Sequence, residues 1–326
     1  MKCQFICPKC GEAFFLPKCS KCGNLVLQIN GIYQLCNDNN IKTEGDNKYI
    51  GYDDIGENFE PAVTYWDINN TERYGVYEAC GDLLAEKFGK DIVVLDLGAG
   101  LGTASIPLAK NGIETIAIDI SNVMLSTAAK RAKGKYENLV LAKMNAYNIM
   151  LPDKSVDIVV ENSMLHLVDN PEAVIKEIVR VLKPNGKFIK YSSFSKPLSK
   201  EEQDKNLFCN EVLSDINGAY YRFLDSEGGK IIFFDNKHQD IISKYFEKRS
   251  IEIAAGFTEI FTDKLKFALH RYRTGAYSDL QTVSKDILNK AWECTNRYAI
   301  SRYGDKYADI KGFSRYGACI HVYSLL

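Results

Sequence analysis

Charge of one sign is what this 326-residue chain lacks most plainly: 41 Lys and Arg stand against 42 Asp and Glu, a formal net charge of −1. A total so balanced makes no electrostatic claim on nucleic acid or on an anionic membrane. Long apolar runs are missing as well. The longest is interrupted by Asp96 and several glycines, well short of the ~20 residues a membrane span requires, so no membrane association is expected. Residues Met1 to Gly11 hold no apolar stretch of the kind that marks a secretory signal, and a cytoplasmic protein is expected. Repeats and low-complexity segments are absent. What remains, 46% hydrophobic and 25% charged residues, is the make-up of an ordinary globular chain, long enough for about two domains.

Cysteine is abundant, and unevenly placed. Of ten, six fall at positions 3, 7, 10, 19, 22 and 36, while Cys80, Cys209, Cys294 and Cys319 are scattered. In a cytosolic chain such a cluster reads as a metal site rather than a disulfide framework. Cys7 and Cys10 form one C-x-x-C and Cys19 and Cys22 another, each followed by glycine, Gly11 and Gly23. Two thiolates so spaced share an ion if the backbone turns tightly, and the glycine supplies the positive φ of that turn. Four thiolates from two such turns make a closed tetrahedral site, the structural arrangement of zinc. A rubredoxin-type iron site and a redox C-x-x-C use similar ligands, and Cys3 or Cys36 could replace one of the four. After the second pair, "NLVLQINGIYQLC" alternates apolar and polar residues around Asn30-Gly31, the signature of a β-hairpin. Residues 1–36 are therefore read as a zinc ribbon whose metal folds the module and takes no part in catalysis.

From about Asp91 short apolar runs alternate with amphipathic stretches. "IVVLDLG", "ETIAIDI", "NLVLAKMN", "SVDIVVEN" and "KFIKYSSF" read as strands. "GTASIPLAKNG", "SNVMLSTAAKRAKG" and "PEAVIKEIVRVLKPNG" read as helices, the second capped by Ser121 and the third opened by Pro171. This alternation predicts a doubly wound, Rossmann-like α/β sheet, with its ligand beyond the strand carboxyl ends. There the chain turns through Gly98, Gly100 and Gly102. A dinucleotide site wants G-x-G-x-x-G, and Thr103 occupies the place of its third glycine. The shorter D-x-G-x-G-x-G loop suits a ligand that lays its own backbone on the protein, as S-adenosylmethionine does. Its carboxylate can face the free N–H groups at the helix start. Asp119, ending the second strand, can accept both ribose hydroxyls, and Asn145, after the third, the adenine amino group. The plain alternative is a tight turn with no ligand.

Taken together, "VLDLGAGLG", "AIDIS" and "LPDKSVDIVVENSMLHLVDNPEAVIKEIVRVLKPNGKF" resemble the motif series of class I S-adenosylmethionine-dependent methyltransferases, in the broad methyltransferase-11 group, from about Thr71 to Phe194. The resemblance implies a seven-stranded mixed sheet whose last strand is antiparallel, a role "ACIHVYSLL" can fill. It also implies that Asp96, Gly98, Ala99 and Gly100 line the methionine end of the cofactor. Asp119 and Ile120 would then hold ribose, Asn145 and Ala146 adenine, and Glu161 the methyl-facing rim. The family more often has Asp at the position of Asn145, and Pro-Gly-Gly where this chain has Pro184-Asn185-Gly186, a turn Asn tolerates. A ribbon ahead of such a domain, with "INGIYQL", more loosely resembles the guanine-N1 methyltransferases of large-subunit ribosomal RNA, although the ligand spacing differs.

Methyl transfer from a sulfonium is an in-line displacement in which alignment is the main task, with a base only where the acceptor carries a proton. His166 is the candidate base and Glu161 the second. Tyr65 and Trp66, at the end of a polar linker over 37–66, could fold over the cofactor or pack in the core. In the catalytic domain, 67–326, helical insertions at about 195–229 and 262–312 are expected as lids that carry acceptor specificity. His270, Arg271, Tyr272 and Arg273 could bind phosphate, stack a base or meet an acidic substrate. They could equally be a solvated helix face with Tyr272 buried. The expected partner is a small-molecule or RNA methyl acceptor, with a lean to the small molecule and no DNA. A non-catalytic S-adenosylmethionine-binding module is the reading of another class.

Overall fold

The structure, a computed structural model, describes residues 3–36, 75–231, 238–261, 264–275, 277–280 and 283–326. Tyr65, Trp66 and the 37–66 linker lie outside these. The chain opens with two small hairpins. β1 (Phe5–Ile6) pairs β2 (Ala13–Phe14), and β3 (Gln28–Ile29) pairs β4 (Ile32–Gln34). Asn30 and Gly31 both take positive φ, 51° and 83°, which is what a two-residue turn between right-twisted strands demands.

The core follows as α1 (Gly75–Phe88), β5 (Val93–Leu97), α2 (Ser105–Lys110), β6 (Glu114–Asp119), α3 (Asn122–Ala132), β7 (Leu139–Lys143) and β8 (Val156–Glu161). α4 (Pro171–Val181), β9 (Leu182–Ser195), α5 (Lys200–Ser226), α6 (His238–Tyr245), β10 (Phe246–Ile253) and β11 (Glu259–Phe261) come next. α7 (Lys264–Thr274), α8 (Lys285–Tyr303) and β12 (Ser314–Leu325) complete it. Local chemistry sets the boundaries. Ser121 caps α3 by accepting from the Met124 amide at 3.1 Å, and Asn170 caps α4 ahead of Pro171, whose fixed φ suits a first turn. α4 buries Val174, Ile175, Ile178 and Val181, one stripe at helical spacing.

The sheet runs β10-β12-β9-β8-β5-β6-β7-β4-β3, with β11 also on β12. β5 pairs β6 and β8 in parallel, β6 pairs β7 and β8 pairs β9 in parallel, and β12 is antiparallel to β9 and β10. The antiparallel last strand expected of "ACIHVYSLL" is present. The sheet is nevertheless wider than the seven strands expected, because β4 adds in parallel to β7 and carries β3 outside it. The N-terminal hairpins thus join the sheet edge, and Phe5, Phe14, Val26 and Leu35 share one core with Ile116, Ile118, Ala142, Ile149 and Leu151.

The same core continues under α4 and α6 through Val159, Phe188, Ile178 and Ile242. The opposite face packs Val94, Val160, Ile189 and Ile320 against Leu84 of α1 and Leu108 of α2. The insertions form a helical unit of their own. Cys209, Val212 and Ile216 of α5 meet Leu265 and Leu269 of α7 and Ala299 of α8, and Tyr220 stacks on Tyr272 with centroids 4.5 Å apart. α5 leaves after the carboxyl end of β9 and β12 returns antiparallel to it, which places this unit at the carboxyl edge. Tyr272 is buried, so the segment from His270 to Arg273 does not offer it as a stacking platform. Among the described residues no helix is long and apolar enough to cross a membrane.

Candidate functional site

β5 lies between β6 and β8, and the chain proceeds from β5 outward through β6 and β7, then returns to the other side through β8 and β9. The loops after β5 and β8 therefore diverge and open a crevice at the carboxyl edge. The glycine loop lies there. Gly98, Gly100 and Gly102 have φ of 71°, 51° and 74°, a region L-residues rarely adopt. A Cβ on Gly98 would stand 2.4 Å from Met164 Cγ, and one on Gly100 3.3 Å from Met124 Cε, so the bare backbone is held close to the chains that flank the crevice.

Several loop amides bind the protein itself. Gly98 and Ala99 both donate to the Ile118 carbonyl at 2.9 Å, and Gly100 donates to Asp119 Oδ2 at 2.8 Å. Asp119 Oδ1 accepts from the Ser121 amide at 2.9 Å. This half-buried carboxylate at the tip of β6 thus fixes both the loop and the start of α3. The helix after the loop is short, six residues beginning at Ser105, so the expected row of free N–H groups at a long helix start is not what the loop provides.

Asp96 is buried on the α1 side of β5, and burial pushes its carboxyl from 3.8 up to about 7, against an opposing pull from Ser105 and with the Asp119 and Glu161 carboxylates adding to the rise. Its Oδ2 has no hydrogen-bond partner, and neither have the buried hydroxyls of Ser105 and Tyr191. An orphaned buried oxygen is costly unless a ligand or a water meets it. A cation such as the ammonium of an amino-acid ligand would satisfy Asp96 and restore its charge. The cradle and the orphaned carboxylate together fit the methionine end of S-adenosylmethionine.

Asn145 follows β7, with Ala146 beside it, both half-buried. Its side-chain oxygen accepts from the Tyr147 amide at 3.0 Å, an Asx turn that orients the amide at the tip of the strand. Ile120 is half-buried and Ala99 buried.

Glu161, at the end of β8, is 1% exposed. Its Oε1 accepts from the amides of Met164, at 2.6 Å, and Leu165, at 3.0 Å, capping the 3-10 turn Leu165–Leu167 that carries His166. Its Oε2 lies 3.4 Å from Lys190 Nζ. One oxygen thus anchors the turn, while the buried Oε2 has no hydrogen-bond partner. Burial pushes the His166 imidazole below its usual range, with Glu161 opposing and His238 and Lys190 adding to the effect. Sequence reading did not identify Ser105, Tyr191, Met164, Lys190 or His238. The last two arrive from β9 and α6, distant in the chain, and no motif announced them.

The four cysteines converge as the spacing predicts. Cys7 and Cys22 sulfurs are 3.6 Å apart, Cys10 and Cys19 sulfurs 3.7 Å, and all four lie within 4.8 Å of one another. A zinc ion with Zn–S bonds of about 2.3 Å needs sulfurs about 3.8 Å apart at tetrahedral angles. The donor set therefore fits. Gly11 and Gly23 take φ of 73° and 71° and donate back to the Cys7 and Cys19 carbonyls, both at 2.9 Å.

Residues 95–190 match the methyltransferase domain family. A demethylmenaquinone methyltransferase of Clavibacter sepedonicus is 25% identical over 182 residues, 53% of this chain and 71% of that one. The tRNA 5-carboxymethoxyuridine methyltransferase of Escherichia coli K12 is 28% identical over 138 residues, 41% of this chain and 53% of that one. A solved S-adenosylmethionine-dependent methyltransferase from Aquifex aeolicus aligns at 22% identity and a TM-score of 0.35, over 46% of this chain and 86% of that one. The chain spans about half the length of most of the curated relatives it matches, from 42% upward. The family match over β5 to β9, laid on a parallel sheet that switches direction at a glycine loop flanked by Asp96 and Asp119, identifies the core of this chain as an S-adenosylmethionine-dependent methyltransferase domain.

Proposed function

We propose that the chain methylates a small-molecule acceptor bound at the carboxyl edge of the sheet, beside the helical unit of α5, α7 and α8. The observation that carries this reading is the convergence in one crevice of the glycine loop, the orphaned Asp96 oxygen and the Glu161-capped turn bearing His166. Bound there, S-adenosylmethionine supplies a methyl group already activated on a sulfonium, so alignment and exclusion of water are the protein's main tasks. Asp96 with the backbone of Gly98, Ala99 and Gly100 would hold the methionine end. Asp119 and Ile120 would hold ribose, and Asn145 and Ala146 adenine. Glu161 acts through the turn it caps. His166, kept neutral by burial, is the group able to take a proton from the acceptor.

Two observations favour a small acceptor over RNA. Tyr272 of the basic-aromatic segment faces the helical core, stacked on Tyr220, and the total charge offers nothing for a phosphate backbone. Demethylmenaquinone, named for one relative, is a small molecule. The tRNA-modifying relative supports the other acceptor class, for which the ribbon, with Phe15, Lys9 and Lys18 exposed, would be the recognition surface. A non-catalytic binding module is disfavoured because the loop, Asp96 and Asp119 are all intact. Cys7, Cys10, Cys19 and Cys22 would hold Zn2+ with no open position, a folding role.

Calorimetry with S-adenosylhomocysteine on metal-loaded protein tests the cofactor assignment, and saturable heat is expected. No heat with this ligand, alongside binding of a nicotinamide dinucleotide, would refute it. Crosslinking to total RNA separates the acceptors: a specific adduct would overturn the small-molecule reading. Metal analysis should find one zinc per chain.

A further inference from the structure

The turn that carries His166 is held at both ends, by residues of two different loops. At its start Glu161 Oε1 accepts from the Met164 and Leu165 amides. At its end stands a residue that the proposed chemistry does not use. The Tyr147 hydroxyl donates to Asp169 Oδ1 and accepts from the Asn170 amide at 3.1 Å. Burial, and next the Asp169 carboxylate, hold this phenol well above its ordinary range, so it keeps the proton that it donates. Its half-buried ring packs against the same core as Met164 and Val168.

Tyr147 belongs equally to the other end of the crevice. Its amide donates to Asn145 Oδ1 at 3.0 Å, closing the turn at the tip of β7 where adenine is expected. One residue thus bonds through its backbone to the loop after β7 and through its side chain to the loop after β8, although β5 and β6 lie between those strands.

Between the two anchors the backbone is strained. Ser163 takes a φ of 61°, a left-handed conformation that disfavours a residue with a Cβ by roughly five- to thirtyfold. Such a conformation persists where the surroundings over-determine it. The turn itself offers little resistance, a single 3-10 turn in which Leu167 donates to the Met164 carbonyl at 2.8 Å. The anchors at Glu161 and Tyr147 are what hold it against the strain.

We propose that Tyr147 is a positioning residue for methyl transfer: its clasp on Asp169 and Asn170 keeps the His166 turn closed and couples that turn to occupation of the adenine end. This rests on the reading of the crevice as an S-adenosylmethionine site. A base seated against Asn145 fixes the turn that Tyr147 closes, and the fixed phenol then favours the closed form of the His166 turn. A ligand shifts such an equilibrium by as much as it binds one form better. Cofactor binding thus sets the candidate base in place.

Hydrogen exchange on the full metal-loaded chain, with and without S-adenosylhomocysteine, tests this. The Met164, Leu165 and Leu167 amides are all hydrogen-bonded, so they exchange through opening of the turn. Tyr147→Phe keeps the ring and removes the clasp. It should speed exchange at these three amides about fivefold or more, with the Ile175 and Ile178 amides of α4 unchanged. S-adenosylhomocysteine should slow the three amides roughly threefold or more in the parent, and this added protection should be lost in the variant. Asp169→Ala, at an exposed position, is the second variant and should behave alike, whereas Asp169→Asn still accepts from the phenol and should retain the coupling. Ser163→Gly relieves the left-handed φ, and added to Tyr147→Phe it should recover at least about half of the protection lost in the ligand-free protein. A general loss of stability would produce neither the selective coupling nor this rescue. Exchange unchanged in both Tyr147→Phe and Asp169→Ala overturns the proposal, as does equal ligand-induced protection in parent and variants, or no recovery with Ser163→Gly. Any of these in a parent that binds S-adenosylhomocysteine refutes this inference alone. Failure of the parent to bind it refutes the cofactor reading and this inference with it.

Discussion

Asp96 offers the sharpest test of the site, because its environment works against its own charge. Burial moves its carboxyl from 3.8 to about 7. The unfolded chain gives up this proton near pH 4, whereas the folded chain keeps it until about pH 7. The group's contribution is therefore favourable at low pH and is lost as pH rises between those values. The full displacement corresponds to on the order of 4 kcal/mol opposing the folded state at pH 8. Asp96→Asn keeps the shape and removes the ionisation, and its new amide can donate to the neighbouring Ser105 oxygen. Urea unfolding should give similar stabilities for both proteins near pH 4 and a variant more stable by roughly 2–4 kcal/mol at pH 8. The gain comes with lost function. A ligand ammonium at Oδ2 favours the carboxylate, so binding S-adenosylhomocysteine at pH 7 should release up to about half a proton in the parent and none in the variant. Calorimetry in phosphate and in Tris, whose ionisation enthalpies differ, reads this directly. A stability difference that does not grow with pH, or equal affinity and proton release in the variant, refutes the reasoning.

Gly98→Ala would place a Cβ 2.4 Å from Met164 Cγ at a φ of 71°, and should reduce S-adenosylhomocysteine affinity about tenfold or more, whereas Gly89→Ala, at a φ of 80° with open space, should cost about 1 kcal/mol of stability and leave binding unchanged. Since burial lowers the His166 pKa, its base form persists below pH 6.5. The acid limb of kcat/KM should lie under that value and vanish in His166→Gln. Ile178→Ala, in the fully buried stripe of α4, should cost about 2–5 kcal/mol by urea unfolding.

Much of the core was legible because its signals are local. The glycine loop, the Ser121 cap, Pro171 at its helix start and the Asn30-Gly31 turn each specify a backbone conformation within a few residues, and each appears where the pattern places it. The cysteine spacing is of the same kind. What could not be read is what depends on strands meeting. Lys190 and His238 come from β9 and α6, and nothing in their flanking sequence marks them. Glu161 was legible as a residue and not in its use, since the capping of Met164 and Leu165 needs the turn to be seen. For Tyr272 sequence left two readings open, a stacking platform or a buried ring, and the helical unit takes the ring inward.

The N-terminal segment was expected as a zinc ribbon ahead of the sheet, and its position bears on what a metal held by its four cysteines would do. A parallel strand at the edge of a sheet leaves a row of unpaired amides and carbonyls. β7 would be such an edge, and β4 covers it, with the Leu35 amide reaching the Lys143 carbonyl at 3.1 Å and Ile6 reaching Met150 at 2.9 Å. Gln34 then touches Asn122 at 3.3 Å, one residue beyond the cap of α3 and close to Asp119. The strand that carries Asn145 at its tip is thus held on one side by the ribbon. Four thiolates without an ion repel or protonate, and a module this small has little else to hold its turns. Chelation, or Cys19→Ser, should therefore do more than melt the first 36 residues: it should lower the unfolding temperature of the whole chain and weaken S-adenosylhomocysteine binding together. A ribbon that unfolds in a separate transition, with ligand affinity intact, would show that the shared core and the shared sheet edge transmit nothing.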